Sequence, residues 1–174
     1  CDAISLCEPV CPPGMTAVAP PERSSVYQLR VVDSATSYRE LTSYRPGDLV
    51  PLELEVTQRT IPGKRNAGAK IVGNETAKYL GLLLYAVNTN EVKVGSWVLP
   101  LETPARFWLP KDPGCSGKAV MHADAVAKHF KERFVFRAPA ASTGRITFRA
   151  LIKQGETNRG AFYWCGTGSA PAYR

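Results

Sequence analysis

Alternation of apolar and polar positions is the clearest pattern along the chain, and it is typical of strands with one buried face. Residues 145–153 alternate most regularly, because Ile146, Phe148, Ala150 and Ile152 all lie on one face of the predicted strand. The same alternation, or a short apolar run, predicts further strands at residues 26–33, 49–57, 80–87, 93–99, 132–137 and 161–164.

The most apolar segment is residues 80–87 (LGLLLYAV), which is apolar on both faces and is therefore predicted to be a central strand. Residues 49–57 alternate instead, with Glu53 and Glu55 on the outward face. We expect these two carboxylates to pair with cations of a neighbouring strand, because opposite charges on adjacent strands attract.

Long connectors separate the predicted strands. Residues 58–78 are basic and glycine-rich, and they contain Lys64, Arg65 and an N-glycosylation sequon at Asn74. A connector of this length is typical of a functional or flexible loop, and a glycan at Asn74 would hinder a partner there. Residues 100–114 form a second long connector, in which the adjacent aromatic pair FW is predicted to pack, cover a sheet edge or line a groove.

The N-terminal segment is rich in proline and cysteine (CEPVCPPG, then APPE), and proline lacks the backbone donor that regular structure needs. We expect this segment to cover a sheet edge. The chain is divided into a disulfide-tied arm (residues 1–25), a strand-rich domain (26–165) and a tail (166–174). It has no apolar run near the ~20 residues that span a bilayer, and a start at Cys1 is typical of a secreted product whose leader has been removed.

The chain is basic, with 22 Lys and Arg against 15 Asp and Glu, a net charge of +7 and a pI near 9.3. Its 174 residues suit one domain with a sizeable core. A charge of this sign favours anionic partners such as sulfated glycans, lipopolysaccharide, acidic lipid or nucleic acid.

Five cations would share one solvent face if residues 132–137 and 145–153 pair as a hairpin through the turn-forming segment APAASTG. This predicted face consists of Arg133, Arg137, Arg145, Arg149 and Lys153. Guanidinium groups bind sulfate or phosphate with two hydrogen bonds, so this face, together with Lys64 and Arg65, is the predicted anion-binding site. No aromatic residue alternates with these arginines, so a nucleic-acid stacking platform is not predicted.

A second hypothesis is a carrier of a small hydrophobic molecule or pigment. Its site would lie between the sheet and the N-terminal arm, or at an oligomer interface, and would bury apolar ligand surface against aromatic rings. The candidate residues are Tyr85, Trp97, Trp108, Tyr163 and Trp164. The competing interpretation is that these rings fill the interior of the domain.

The chain has five cysteines, which is an odd number: Cys1, Cys7, Cys11, Cys115 and Cys165. They form no C-x-x-C pair, so disulfides are favoured over a zinc site or a redox motif. At least one thiol is then free, bonded to another chain or covalently occupied. A homo-oligomer joined through the odd cysteine remains a third hypothesis.

Catalytic and metal-binding motifs are not evident. His122, Asp124 and His129 are the most concentrated set of metal-ligand types, but a metal needs three or four converging ligands, which spacing alone does not provide. The chain has no nucleophile elbow, phosphate-binding loop or zinc-protease motif. We therefore expect a non-enzymatic protein without a cofactor or metal.

Six short segments, in order, carry a family resemblance. They are YRPG (44–47), YLGLLLYA (79–86), VGSW (94–97), VMH (120–122), FVFRAP (134–139) and GRITFRA (144–150), with Cys115 in the middle. Their order and spacing resemble the reeler domain family, whose members include the N-terminal modules of reelin and F-spondin, insect haemolymph defence proteins and ectodomains of ferric-chelate reductases.

The resemblance implies an immunoglobulin-like antiparallel β-sandwich in a secreted, extracellular protein. It also implies that Cys115 is bridged to Cys7 or Cys11, which would give Cys165 a second N-terminal partner. Together with the charge, it leads us to expect a secreted, non-enzymatic protein that binds an anionic surface or matrix component, as defence-type and matrix-type relatives would. The hydrophobic carrier is the alternative.

Overall fold

The computed structural model describes residues 22–23, 26–32, 43–57, 60–61, 75–76, 78–99, 105–111, 115–154 and 162–167. These residues form strands and connecting turns, without any helix among them. The strands are β1 (Glu22–Arg23), β2 (Tyr27–Val31), β3 (Leu49–Val56), β4 (Thr60–Ile61), β5 (Glu75–Thr76), β6 (Tyr79–Val87), β7 (Ser96–Val98), β8 (Phe107–Trp108), β9 (Ala119–His122), β10 (Lys131–Arg137), β11 (Thr147–Gln154) and β12 (Phe162–Gly166).

Two sheets pack face to face. One has six strands in the order β1-β12-β11-β6-β9-β8, and the other has four in the order β2-β3-β10-β7. Every pairing within them is antiparallel except the short parallel contact of β1 with β12. The predicted fold, an all-β antiparallel sandwich, is confirmed. No helix long and apolar enough to cross a membrane occurs among the described residues.

The six-stranded sheet is built around β6, as its doubly apolar sequence predicts. All nine residues of β6 are buried, because it lies between β11 and β9 and both of its faces are covered. From Leu82 onward its even-numbered side chains face the four-stranded sheet, and its odd-numbered ones join a second apolar cluster on the opposite face. Tyr79, which lies beyond a register shift in the β6–β11 ladder, also packs in the core between the sheets. That second cluster consists of Leu83, Tyr85, Val87, Cys115, Ala119, Met121 and Leu151.

Three aromatic rings join the two sheets at the centre of the core. The ring centroid of Phe136 in β10 lies 5.2 Å from that of Trp97 and 5.0 Å from that of Phe148 in β11, and both contacts are edge to face. Phe136 is fully buried, and Trp97 and Phe148 are nearly so. Edge-to-face contacts of this kind add to the stabilisation that burial alone provides.

Strands β10 and β11 do not form the predicted hairpin. β10 pairs with β3 and β7, whereas β11 pairs with β6 and β12 in the other sheet. Residues 138–146 therefore cross from one sheet to the other, as connections in β-sandwiches often do. The crossing lets each strand bury its apolar face from the opposite side of a shared core, which a hairpin in one sheet would not allow.

The connectors contain more order than the sequence indicates. Within the first one, β4 and β5 pair with each other in an antiparallel ladder. In the second, Phe107 and Trp108 form the edge strand β8, paired with β9. Phe107 packs on Phe134 at 5.0 Å in the core, and Trp108 is 37% exposed on the other side. The aromatic pair thus splits between the core and the sheet edge.

The ends of the chain are described only in part. β1 lies near the end of the predicted arm and pairs with β12 at that edge of the six-stranded sheet. The rest of the arm, with Cys1, Cys7 and Cys11, lies outside the described residues, as do most of the tail, Asn74, Lys64 and Arg65.

Candidate functional site

The five predicted anion-binding cations are not together. Because β10 and β11 belong to different sheets, Arg133 and Arg137 lie on the outer face of one sheet, and Arg149 and Lys153 on the outer face of the other. Arg145 lies in the crossing connection between them. The prediction of one face with five cations is wrong, because alternation along a strand identifies a face but not the neighbouring strand.

Three of the five already have protein partners. Arg133 donates a hydrogen bond to Glu53 at 3.2 Å. Arg149 is buried and donates to both carboxylate oxygens of Glu91, at 2.5 and 3.0 Å. The half-buried Lys153 contacts the carbonyl of Gln154 at 3.5 Å. Cations engaged in this way would have to exchange an existing partner for a ligand.

The ion pair between Arg149 and Glu91 shifts the pKa of both groups. The hydrogen bond from Arg149 lowers the pKa of Glu91 below its ordinary value, and the same contact raises the pKa of Arg149. Glu91 has a positive φ of 62°, which is uncommon for a residue with a side chain, so the turn holds it at a cost. This cluster is structural, since its arginine is buried and both terminal nitrogens of the guanidinium bind Glu91.

The remaining two predicted arginines lie at one end of the sandwich, where a third joins them. Arg137 ends β10, Arg145 precedes β11, and Arg45 lies in the turn before β3. All three side chains are exposed, and within the described part of the chain none of them forms an ion pair. We call Arg45, Arg137 and Arg145 the arginine end.

Tyr44 holds two segments of the arginine end together. Its hydroxyl donates a hydrogen bond to the carbonyl of Gly144 at 2.8 Å and accepts one from the amide of Thr143 at 3.3 Å. Arg45 follows Tyr44 and Arg145 follows Gly144, so the Tyr44 side chain links the two segments that carry these arginines, 100 residues apart in the chain.

The third arginine is connected by the backbone. The amide of Ala138, which follows Arg137, donates to the carbonyl of Asp48 at 2.8 Å, and the amide of Gly47 donates to the carbonyl of Pro139 at 3.3 Å. The Asp48 carboxylate accepts a hydrogen bond from the Arg45 amide at 2.7 Å. The arginine end thus contains the Asp48 carboxylate beside three exposed arginines, and it keeps a positive charge.

The Tyr44 hydroxyl gives a direct stability prediction. Replacing Tyr44 by Phe removes both hydrogen bonds of the hydroxyl, so the free energy of unfolding should fall by about 1–2 kcal/mol. Amide exchange at Thr143 should accelerate, because its acceptor is lost. Tyr79→Phe is the matched control, since the Tyr79 hydroxyl is buried and has no hydrogen-bond partner among the described residues. A loss in Y79F as large as that in Y44F would contradict the assignment.

The aromatic residues of the carrier hypothesis are not gathered into one site. Trp97 lies in the core between the sheets, and its indole donates to the carbonyl of Lys118 at 3.2 Å. Tyr85 belongs to the cluster on the opposite face of the six-stranded sheet, and Trp108 lies on an edge strand. The side chains of Tyr163 and Trp164 lie outside the described residues. Of this set, Trp97 fills the interior, as the competing interpretation predicts.

The metal-ligand residues have separate partners. His122 Nδ1 accepts from the Leu82 amide at 3.2 Å, and His129 Nδ1 lies 2.7 Å from an Arg106 nitrogen. Asp124 accepts from Lys128 at 2.8 Å, and this hydrogen bond lowers the pKa of Asp124. In the part of the chain that the structure describes, no group of three or more His, Cys, Asp or Glu residues is arranged to hold a metal ion.

The two described cysteines differ. Cys115 is disulfide-bonded, and its partner lies outside the described residues. Cys165 is a free thiol, so the expected second bridge from Cys165 is wrong. Burial raises the pKa of Cys165 to about 12, which keeps the thiol protonated and unreactive at neutral pH. It packs as a small apolar side chain in the core.

Arg45 is the site residue that sequence reasoning did not select. It belongs to the YRPG turn, where its exposure is expected, but nothing in the local sequence connects it with residues 137 and 145. The connection arises only from the Tyr44 hydrogen bond and the sheet crossing.

Comparison with known proteins gives the family. The sequence model of the reeler domain matches residues 7–171. A solved reeler domain of human F-spondin is similar in fold, with 19% identity, a TM-score of 0.54 and 83% of each chain covered. The Reelin-N domain of F-spondin has the same identity and TM-score over 83% of this chain and 80% of that one. No curated protein sequence matches. The chain belongs to the reeler domain family.

Proposed function

We propose that this chain is a secreted, non-enzymatic binding module that binds an anionic surface or matrix component at the arginine end. Membership of the reeler family supports a binding module of the extracellular type. The observation that supports an anionic ligand is the grouping of three exposed arginines that form no ion pair within the described residues. Sulfated glycans and lipopolysaccharide share the sulfate or phosphate groups that such a site would bind.

The chemistry of the arginine end suits sulfate and phosphate. A guanidinium group presents a planar pair of donors that matches two oxygens of either anion. The three arginines lie on two loops and a strand end, so they can contact successive charges of a polyanion rather than a single ion. The net charge of +7 adds long-range attraction toward any such ligand.

The test is heparin affinity of the double variant Arg45→Ala and Arg145→Ala. Both side chains are exposed, so their loss should change the free energy of unfolding by less than about 0.5 kcal/mol. We expect heparin affinity to fall about tenfold or more, because two charge-assisted contacts are lost. The slope of log affinity against log salt should decrease by about 2.

The charge control is the double variant Lys78→Ala and Lys131→Ala, in which Lys131 also gives up its ion pairs with Glu53 and Glu55. It removes the same charge from the opposite end of the sandwich, because β6 and β10 both begin there and end near the arginines. If the control loses as much heparin affinity as R45A/R145A, the attraction depends on overall charge and the proposed site is wrong. Heparin retention that does not depend on salt would contradict the proposal as a whole.

The carrier of a hydrophobic molecule is not proposed. Its described candidates, Tyr85, Trp97 and Trp108, lie on a sheet face, in the core and on a sheet edge, and so do not line one cavity.

A further inference from the structure

The outer face of the four-stranded sheet has a charged half and an apolar half. In the charged half, Glu53 and Glu55 face Arg133 and Lys131 across the β3–β10 ladder, and Arg30 of β2 pairs with Glu55. Glu53 is completely buried beneath these side chains. The charges of this half are therefore paired with one another, as the outward carboxylates of β3 led us to expect.

The apolar half lies next to the arginine end. One row across the sheet consists of Pro51, Val135 and Val98, and the next consists of Leu49, Arg137 and Ser96. Leu49 is 55% exposed and Val98 is 40% exposed, although outward positions of a solvated sheet are normally polar. We call Leu49, Pro51, Val98 and Val135 the outer apolar patch.

Arg137 belongs to both features. Arg137 lies between Leu49 and Ser96 in its row. The exposed Arg137 and the exposed Leu49 are therefore cross-strand neighbours, with Cβ atoms about 5 Å apart. Val92, 55% exposed, lies in the turn between β6 and β7 at the same end. Of the five large apolar side chains that are exposed in the described residues, three therefore belong to strands or turns that reach the arginine end.

We infer that the anionic partner of the arginine end is a lipid surface, with phosphate headgroups on the arginines and acyl chains on the outer apolar patch. This inference rests on the proposed function and names the ligand class for the same site. A soluble sulfated glycan would satisfy the arginines but would leave Leu49 and Val98 in water. A second copy of the chain would bring like-charged arginines together.

A lipid surface supplies both chemistries within a short depth. Side chains that enter the boundary between headgroups and acyl chains are buried by roughly 5–10 Å, and cations beside them remain at the level of the phosphates. Each basic residue near an anionic leaflet adds further attraction, which salt weakens. Leu49 and Arg137 are cross-strand neighbours in one row, so an apolar and a cationic side chain lie side by side as this arrangement requires.

The first experiment measures co-sedimentation of the whole chain with vesicles. We expect binding to vesicles of equal parts phosphatidylcholine and phosphatidylglycerol and little binding to pure phosphatidylcholine. The double variant Leu49→Ser and Val98→Ser should bind the anionic vesicles about tenfold or more weakly, because its apolar contact is lost. Its heparin affinity should equal that of the unmodified chain, since the arginines are intact.

The matched control is Val126→Ser. Val126 is 65% exposed and lies between β9 and β10, at the end of the sandwich away from the arginines. Its replacement should leave vesicle binding unchanged, which separates a local patch from general surface hydrophobicity.

A second measurement does not depend on a loss of vesicle affinity. Leu49→Trp places a fluorescent ring in the outer apolar patch, and its emission should be quenched by anionic vesicles that carry brominated acyl chains. Val126→Trp should show no such quenching. This pair of variants decides the matter if the serine variant is too unstable to measure.

The outcomes separate the inference from the function on which it rests. Binding to heparin without binding to anionic vesicles overturns the lipid inference, leaves the anion-binding function standing and points to a soluble glycan or an acidic protein. Vesicle binding that is equal for both lipid compositions, or equal for L49S/V98S and the unmodified chain, also overturns it. The lipid inference is supported if both L49S/V98S and R45A/R145A lose vesicle binding while only R45A/R145A loses heparin affinity.

Discussion

Replacing Gly95 by alanine is expected to destabilise the domain by about 3–5 kcal/mol, a large share of the stability of a typical domain. Gly95 has a φ of +68°, which costs a residue with a Cβ roughly 1–2 kcal/mol. A Cβ added there would lie 2.2 Å from the Phe136 ring and 2.6 Å from the carbonyl oxygen of Arg137. The carbonyl belongs to the backbone of β10 and cannot move without disturbing its ladder with β7.

The measurement is chemical unfolding of G95A beside Gly144→Ala. Gly144 has a similar φ of +77°, but an added Cβ would meet nothing within 4 Å. G144A should therefore show only the backbone strain, about 1 kcal/mol. Equal losses in the two variants would mean that the close approach of Gly95 to β10 contributes nothing.

Seven of the twelve described strands were predictable from local sequence, whereas β9 and the two-residue strands β1, β4, β5 and β8 were not. The doubly apolar β6 and the alternating β3, β10 and β11 occur where the pattern places them, because burial of one or both faces dictates residue type along each strand. The pairing of Glu53 and Glu55 with cations of adjacent strands also followed from the pattern. These properties depend on which face a residue occupies, and period-2 alternation encodes that directly.

Strand pairing was not predictable in the same way. The pattern in residues 132–137 and 145–153 is compatible with a hairpin and with two strands in opposite sheets. The difference depends on the path of residues 138–146 and on partners far away in sequence, β3 and β6. Alternation contains no information about those partners, so the proposed group of five cations was assembled on the wrong neighbour.

Arg149 illustrates the second limit. Its position in the outward row predicted solvent exposure, yet it is only 6% exposed. The outer face of the six-stranded sheet is itself apolar and covered, because Leu83, Tyr85 and Leu151 cluster there. Leu151 in the same outward row, and the apolar odd positions of β6, were the signals that this face is not solvated.

The site that replaced the predicted one depends on tertiary contacts. Arg137 and Arg145 were selected from sequence for their charge, and both belong to the arginine end. Arg45 was not selected, because a hydrogen bond from Tyr44 to Gly144 is required to bring it there. The reeler resemblance predicted the fold correctly, but a fold shared by proteins of different function does not identify a site.

Replacing Phe136 by alanine is the second change with a large expected effect. Phe136 is completely buried and contacts Trp97 and Phe148 edge to face, so the sheets lose the ring that joins them. The loss should be about 3–5 kcal/mol, from transfer of the ring to water and the cavity left behind. Phe136→Leu, which keeps most of the volume, should cost less than about 1.5 kcal/mol.

Combining the two large changes tests whether Gly95 and Phe136 form one contact. In G95A alone the added Cβ meets the ring, whereas in G95A/F136A the ring is gone and only the carbonyl of Arg137 obstructs it. The double variant should therefore be more stable than the sum of the single losses predicts, by about 1 kcal/mol or more, in denaturant titrations of all four proteins. If the losses were strictly additive, glycine would be needed at position 95 only because of its positive φ and the nearby carbonyl of Arg137. The position of β7 beside Arg137 would then not depend on the Phe136 ring.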